Sequence, residues 1–510
     1  MEYSWAIIFL SLCFSAALTI FISQTKTKKT KRSLPPGPPT IPILGHIYLL
    51  RKFLINPEAA LRVLFKKYGP IITFRIGSST SIFIASHSLA HEALIQNGAA
   101  FNYRPGAVTP SCIFDNNNLD CGSSTGNRWR LLRRNLTSVV LSPSRYKSFG
   151  GARRWVLQVF NDSLLKYHVK SSEPVPVADR FRYAMFCLLL FLCFGEKLDE
   201  KIIKEIEETE RAKLAKFNGL GVFTLFPRLG KFIFRKSWHE MVDLRHIQLS
   251  VLLPLIKASR ERREKVKQEN PDENSFISYI NSLFDLEVKE EGGRKLVDQE
   301  IASLISEVLD AGSDTTTSLF EWVMANLVKN QKIQEKLYSE IQGVVGSTEE
   351  IKEDDLEKMP YLKAVVLEGL RLHPPSHFVL PHTVKEDVVL NGYLIPKNAL
   401  VNFMVGEMGR DPKVWKDPME FKPERFLGDE GVEVDITGSK EIKMMPFSAG
   451  RRICPGLGLG TLHMEYFLAN FVRDFKWMGV EGHDLDMSEK MEFTVMMATP
   501  LRAHVSPRPN

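Results

Sequence analysis

The sequence predicts a mainly α protein with small β-sheets, an α+β fold made as a single large domain behind an N-terminal membrane anchor. Three observations predict it. Helical spacing of apolar residues dominates from about residue 90 to 373. Short β-branched and aromatic runs lie on either side of that region. No linker-like shift in composition divides residues 46–510. With 510 residues, 44% hydrophobic and 25% charged, the chain can bury a large core, which excludes a disordered, collagenous or disulfide-stapled class. It shows no repeat of the period that marks a solenoid or propeller.

From the N-terminus, Tyr3–Thr25 carries no charge, and Tyr3–Ile22 is apolar for long enough to span a bilayer as a helix. Lys26, Lys28, Lys29, Lys31 and Arg32 follow it, a sign of charge that stays cytoplasmic. A cleaved signal peptide places its positive charge before the apolar run, where this chain has Glu2. Residues 3–25 are thus expected to be an uncleaved signal anchor. Residues 26–45 form a basic stop segment and a hinge, stiffened by Pro35-Pro36-Gly37-Pro38-Pro39. Residues 46–510 form the body, on the cytosolic side. The sequons at Asn135 and Asn161 stay unglycosylated in that topology.

The chain has 67 basic and 60 acidic side chains. Five of the basic ones fall in residues 26–32, so the body is close to balance and a nucleic-acid surface is not indicated. Six cysteines without a CxxC exclude the common zinc and thioredoxin-like patterns and suit a reducing compartment.

Within the body, Tyr68–Arg75 and Ser81–Ala85 read as strands. Tyr183–Phe194, with Cys187 and Cys193, is apolar but too short to span a membrane, and reads as a buried helix. Lys257–Glu273 reads as a solvated helix ending at Asn270-Pro271. A long helix is expected from near Asp298 to about Lys329. It contains a poor helix interior, Ala311-Gly312-Ser313-Asp314-Thr315-Thr316-Thr317-Ser318, whose hydroxyls can bond back to i−4 carbonyls and bend the axis. A local rule broken inside a good element points to function.

The most informative segment is Pro446–Gly456. There Cys454 stands among Gly450, Arg451, Arg452 and Gly456, just before an apolar helical pattern. Arginine and a helix N-terminus lower a cysteine pKa, and glycines let the backbone approach a large flat group.

This segment resembles the haem-binding signature of the cytochrome P-450 family: Phe447, Gly450, Arg452, Cys454 and Gly456 fill its fixed positions. The resemblance runs nearly the length of the chain and is closest to plant microsomal members. It implies the cytochrome P-450 fold, with 46–510 as the haem-thiolate catalytic domain. It implies haem b as cofactor, with Cys454 as axial iron ligand and Arg452 on a haem propionate. Trp129 and Arg133, on one helical face, and His382 are further implied propionate contacts. Ala311–Thr316 resembles the family's oxygen-binding pattern; this implies that Asp314 and Thr315 are an acid–alcohol pair for proton delivery, with Gly312 leaving room for oxygen where the helix bends. Glu368, Arg371 and Arg425 match its structural charged triad. By family position, substrate contacts fall near Phe101–Cys121 and Leu304–Gly312, and at Phe378, Val379, Leu380, Val495, Met496 and Met497, whose apolar character suits a lipophilic substrate.

The implied activity is a monooxygenase on the endoplasmic reticulum membrane. It inserts one atom of O2 into a small lipophilic substrate, with electrons from NADPH through a separate flavoprotein reductase and cytochrome b5 as a further candidate donor. A basic proximal face near Arg451 is the expected dock for an acidic partner. Two alternatives stand beside it: a haem-thiolate isomerase or dehydratase, which needs no O2 and often lacks the Asp-Thr pair, and a non-enzymatic haem-binding sensor or carrier.

Overall fold

In the computed structural model the two runs expected as strands pair antiparallel. They are β1 (Ile71–Ile76) and β2 (Ser79–Ile84), with Ile71 opposite Ile84. Helix α1 (Pro57–Tyr68) precedes them; Pro57 opens it, and the Asn56 carboxamide oxygen accepts from the Ala59 amide at 2.9 Å. The sheet continues through residues distant in sequence. Of β3 (His382–Thr383) and β4 (Leu400–Phe403), β4 runs parallel to β2 and β3 antiparallel to β4. The proline-rich segment is docked on this sheet. Thr73 donates through its amide to Pro36 O (2.8 Å) and through its hydroxyl to Pro35 O (2.9 Å). A Cβ at Gly37 would lie 2.3 Å from the Thr73 carbonyl oxygen, so only glycine allows that approach.

The described residues are 15, 33–41, 45–49, 52–53, 56–76, 79–105, 111–114, 121–170, 173–217, 232, 234–269, 278–346, 350–428 and 434–508. Apart from Ser15, the anchor expected at 3–25 lies outside them. Among the described residues no helix is long and apolar enough to cross a membrane. The chain separates into two compact units, Met1–Pro105 with Phe378–Met404, and Gly106–His377 with Val405–Asn510. The first holds the sheet and α1, with a small apolar centre of Leu61, Ile72 and Met404.

The second unit is helical and holds the main core. Its principal helices are α2 (Gly126–Leu136), α3 (Gly150–Lys170), α4 (Val177–Phe194), α5 (Glu200–Phe217), α6 (Arg235–Glu269), α7 (Asp298–Lys329), α8 (Gln331–Val345), α9 (Pro360–Leu372) and α10 (Leu457–Asp474). Helix α4 contains the expected buried run, and Cys187 and Cys193 are core residues whose thiols burial pushes up to about 12. Helix α7 has the expected limits. Its start is fixed by Glu300, which accepts from the Val297 amide (2.9 Å) and is gripped by Arg294 (2.7 and 2.8 Å). Phe181 stacks on Phe320, centroids 4.0 Å apart, and so ties α4 to α7 at the centre of the core. Helix α7 remains one continuous α-helix through Gly312.

Candidate active site

Cys454 lies on the loop that leads into α10. Its amide donates to the Phe447 carbonyl at 2.8 Å, closing a turn in which Ser448 (φ 62°) and Gly450 (φ 70°) take left-handed conformations. Burial pushes the Cys454 thiol up, while the Gly456 amide and the charge of Arg133 pull the other way. In the chain alone burial therefore outweighs the arginine and helix-end effects the sequence suggests. A metal cation reverses that balance, because a coordinating thiol is deprotonated outright.

The basic residues converge on the same loop. Arg133 on α2 donates to the Ile453 carbonyl at 2.6 Å. The Arg452 guanidinium stacks on Trp129, 4.2 Å from the ring centroid, and donates to the Ser124 carbonyl at 2.8 Å. Burial, with repulsion from Arg133, pushes Arg452 down to about 10. Two guanidiniums this close, one of them buried, favour an anion, and haem carries two carboxylates. His382 belongs to the first unit, where its Nδ1 donates to Phe101 O at 2.6 Å and its ring meets Phe403 edge-on.

Helix α7 is buried along most of its length, but Val308, Ala311, Asp314 and Thr315 form a stripe at helical spacing that is open or half-open. An open stripe on a core helix suits a bulky group against it. With the thiol loop and the paired arginines, it makes these residues fit a haem. The Thr315 hydroxyl donates to the Ala311 carbonyl at 2.5 Å and that of Ser313 to Leu309 at 2.6 Å, the i−4 back-bonding expected from the sequence. Gly312 also lies against α4. A Cβ there would lie 2.9 Å from both Leu189 methyls, so the glycine makes room for α4.

Asp314 and Thr315 are neighbours, but the structure does not join their functional atoms. Asp314 Oδ1 lies 3.4 Å from Arg182 Nε, and Oδ2 accepts from the Thr494 hydroxyl at 3.1 Å. Sequence reasoning missed Arg182 and Thr494, since nothing local marks either as a partner of an acid on another element.

Glu368, Arg371 and Arg425 form one buried cluster. Both Glu368 oxygens accept from Arg371 (2.7 and 2.8 Å); Oε1 also accepts from Arg425 Nε (3.0 Å) and the Lys422 amide (2.8 Å). Arg371 donates further to the carbonyls of Gly409 and Pro418, each at 2.7 Å. Glu368 and Arg371 are wholly buried, and their donors and acceptors are thereby matched. Of the residues expected near substrate, Val495 is core-bound: its carbonyl accepts from Ser318 (2.7 Å) and Trp322 (2.8 Å) on α7. Met497 joins the main core and Phe378 packs beside Leu61, Ile72 and Met404 in the first unit. Val379 is nearly buried and Met496 half-buried, while Leu380 is 58% exposed.

A helical fold that carries a partly buried thiol on a loop with arginines and glycines suits the class of haem-thiolate proteins. Comparison with known proteins makes the assignment specific. The family profile named Cytochrome P450 matches residues 35–505, and the chain belongs to that family. Among its relatives, Cytochrome P450 89A9 of Arabidopsis thaliana is 44% identical over 98% of this chain and 97% of its own length. Flavonoid 3'-monooxygenase of Arabidopsis thaliana is 30% identical over 99% and 98%, and Geraniol 8-hydroxylase of Catharanthus roseus 31% over 97% and 98%. A solved zebra fish cytochrome P450 with progesterone aligns at a TM-score of 0.74 and 20% identity, covering 89% of this chain and 99% of that one, a likeness of fold. As a family member the chain is an oxidoreductase, a monooxygenase that uses haem b on a cysteine thiolate, O2 and electrons from NADPH.

Proposed function

We propose that this chain oxidises a small lipophilic compound of plant specialised metabolism by insertion of one oxygen atom, with Cys454 as the residue that would hold the haem iron. Anchoring by residues 3–25 to the endoplasmic reticulum, with the body 46–510 in the cytosol, and a separate NADPH-dependent reductase, with cytochrome b5 as a further candidate donor, belong to the same reading. The Cys454 loop carries it: a partly buried sulfur that receives the Gly456 amide, beside Arg133, on a turn fixed by Phe447 and Gly450. The names of the relatives support oxidation of terpenoid or phenolic compounds.

When bound, haem supplies oxygen activation, which a thiolate ligand favours. The chain supplies position and protons. Cys454 would hold the haem iron. Arg452, stacked on Trp129, and Arg133 would receive the haem carboxylates. Thr315 Oγ spends its proton on Ala311 O, so its lone pairs are left to accept a proton donor or water at the open stripe. Asp314 is the reservoir that restores protons there, and it first has to exchange Arg182 or Thr494 for water. The Asp314–Thr315 pair favours this reading over isomerisation without O2, which needs no proton supply.

Thr315→Ala tests the relay. Product formed per NADPH consumed is expected to fall by about 10², with NADPH oxidation continuing and the reduced CO spectrum unchanged. Undiminished coupling rejects the role of Thr315. Arg451 is exposed on the Cys454 loop. Arg451→Glu is expected to slow electron transfer from the reductase severalfold, most at low salt, as stopped-flow reduction reads it. An unchanged rate removes Arg451 from the docking face.

A further inference from the structure

A two-stranded hairpin lies against α7 and the end of α9, all within the second unit. Its strands, β5 (Glu489–Met491) and β6 (Val495–Met497), pair antiparallel with Glu489 opposite Met497 and form a sheet of two. Such a pair has little stability of its own, so its contacts with the body decide where it sits. Strand β6 is held through its main chain. The Val495 amide donates to Pro375 O at 2.9 Å, and the Val495 carbonyl receives Ser318 and Trp322 of α7. Strand β5 is exposed along its length, and it is Glu489 that reaches back to the body. Both of its oxygens meet the Arg410 guanidinium, Oε2 at 3.2 Å from Nη1 and Oε1 on Nη2. Arg410 in turn donates through Nε (2.9 Å) and Nη2 (2.6 Å) to the carbonyl of Leu372, the last residue of α9. His373 Nδ1 and His377 Nε2 each lie 3.7 Å from a Glu489 oxygen, and the His373 ring lies flat on Trp322 of α7, centroids 4.2 Å apart. At the tip, the Glu492 amide donates to Thr494 O (2.9 Å), and the Thr494 hydroxyl donates to Asp314 Oδ2 (3.1 Å). One short hairpin therefore joins the end of α9 to Asp314.

We propose that Glu489 is a positioning residue: gripped by Arg410, it fixes the hairpin so that the Thr494 hydroxyl holds Asp314. This rests on the proposed role of Asp314 as proton reservoir, and places the control of that acid on another element. A two-pronged pair between arginine and carboxylate fixes direction as well as distance, which a single contact does not. Burial alone would raise the Glu489 pKa, but His373 and the Arg410 guanidinium hold it well below the usual carboxylate range, so it stays charged. Burial pushes His373 down to about 4, so its ring stays neutral against Trp322 and does not compete with Arg410 for the charge. While the grip holds, Asp314 has to leave Thr494 before water reaches it. Once the grip is lost, the tip moves away and Asp314 meets water directly.

The test uses the full-length haem protein, solubilised, with two readouts. Hydrogen exchange reports the hairpin, and the infrared C–O stretch of the reduced, CO-bound protein reports the polar groups above the bound gas. In Glu489→Gln the side-chain amide turns one acceptor into a donor facing the guanidinium. Exchange across residues 487–499 is expected to rise about tenfold, with α10 unchanged. The C–O band is expected to move to the position it takes in Thr494→Val, and the double variant to move it no further. Arg410→Lys, which keeps the charge without the two-pronged grip, is expected to move both readouts the same way and replaces Glu489→Gln if that variant does not fold. Exchange equal to wild type, or shifts that add in the double variant, overturn the proposal. A band that moves in Asp314→Asn but not in both Glu489→Gln and Thr494→Val also overturns it and leaves the reservoir reading standing. A band that moves in none of the three removes Asp314 from the oxygen side and takes both readings with it.

Discussion

Cys454→Ser is expected to abolish product formation and to remove the thiolate signature from whatever haem is retained. The change costs little elsewhere. Serine keeps the amide bond to Phe447 and fits the same turn, so far-UV circular dichroism and the melting temperature should stay close to wild type. What is lost is the one sulfur on the arginine-lined loop. Among the described residues, the other free cysteines are Cys121, Cys187 and Cys193. The last two are sealed in α4, and the Cys121 backbone is held to Glu307. None of them lies on the loop with Arg452, so none can substitute. Iron content and turnover with reductase check this. Residual turnover with a thiolate-type spectrum would move the ligand away from Cys454.

Glu368→Ala is expected to have the largest effect on stability, with little soluble haem protein recovered. Among the described residues, Glu368 is the acid that pairs with both Arg371 and Arg425, and it also holds the Lys422 amide. Its removal leaves two guanidiniums buried without their counter-charge, a loss of about 3–5 kcal/mol. Against a folding free energy on the order of 10 kcal/mol, that is a large fraction. Thermal unfolding followed at the haem band and by circular dichroism checks it. Glu368→Gln should lose less, since the amide keeps the shape and one acceptor. A melting temperature unchanged in the alanine variant would show that the carbonyls of Gly409, Pro418 and Glu420 suffice for the arginines.

How much of this was legible before the structure depends on the range of the signal. Helix α7 was legible because its limits are local: Asp298 and Glu300 open it, and apolar periodicity carries it to Lys329. Strands β1 and β2 were legible for the same reason, with β-branched and aromatic residues and turn residues between the two runs. The Cys454 loop was legible because the geometry of one turn needs Phe447, Gly450 and Gly456 at fixed spacing. The partners of the site were not. Arg182 and Thr494 reach Asp314 from other elements, and only packing brings them there. That Gly312 lies against Leu189 of α4 was likewise invisible in the sequence. The Lys213–Asp310 pair was hidden similarly, since each residue alone reads as a solvated charge on a helix. The proline segment read as a stiff hinge, and its docking on the sheet was not legible because its acceptors are backbone carbonyls, which are silent in sequence.

The central claim is that this chain holds haem iron through a thiolate on the Cys454 loop. The reduced, carbon monoxide-bound difference spectrum of the full-length protein in microsomes tests it most directly. The predicted result is the strongly red-shifted Soret band of a thiolate ligand in the wild type. A band at the position of an imidazole- or neutral-thiol-ligated haem, in protein shown to be folded and haem-loaded, would contradict it.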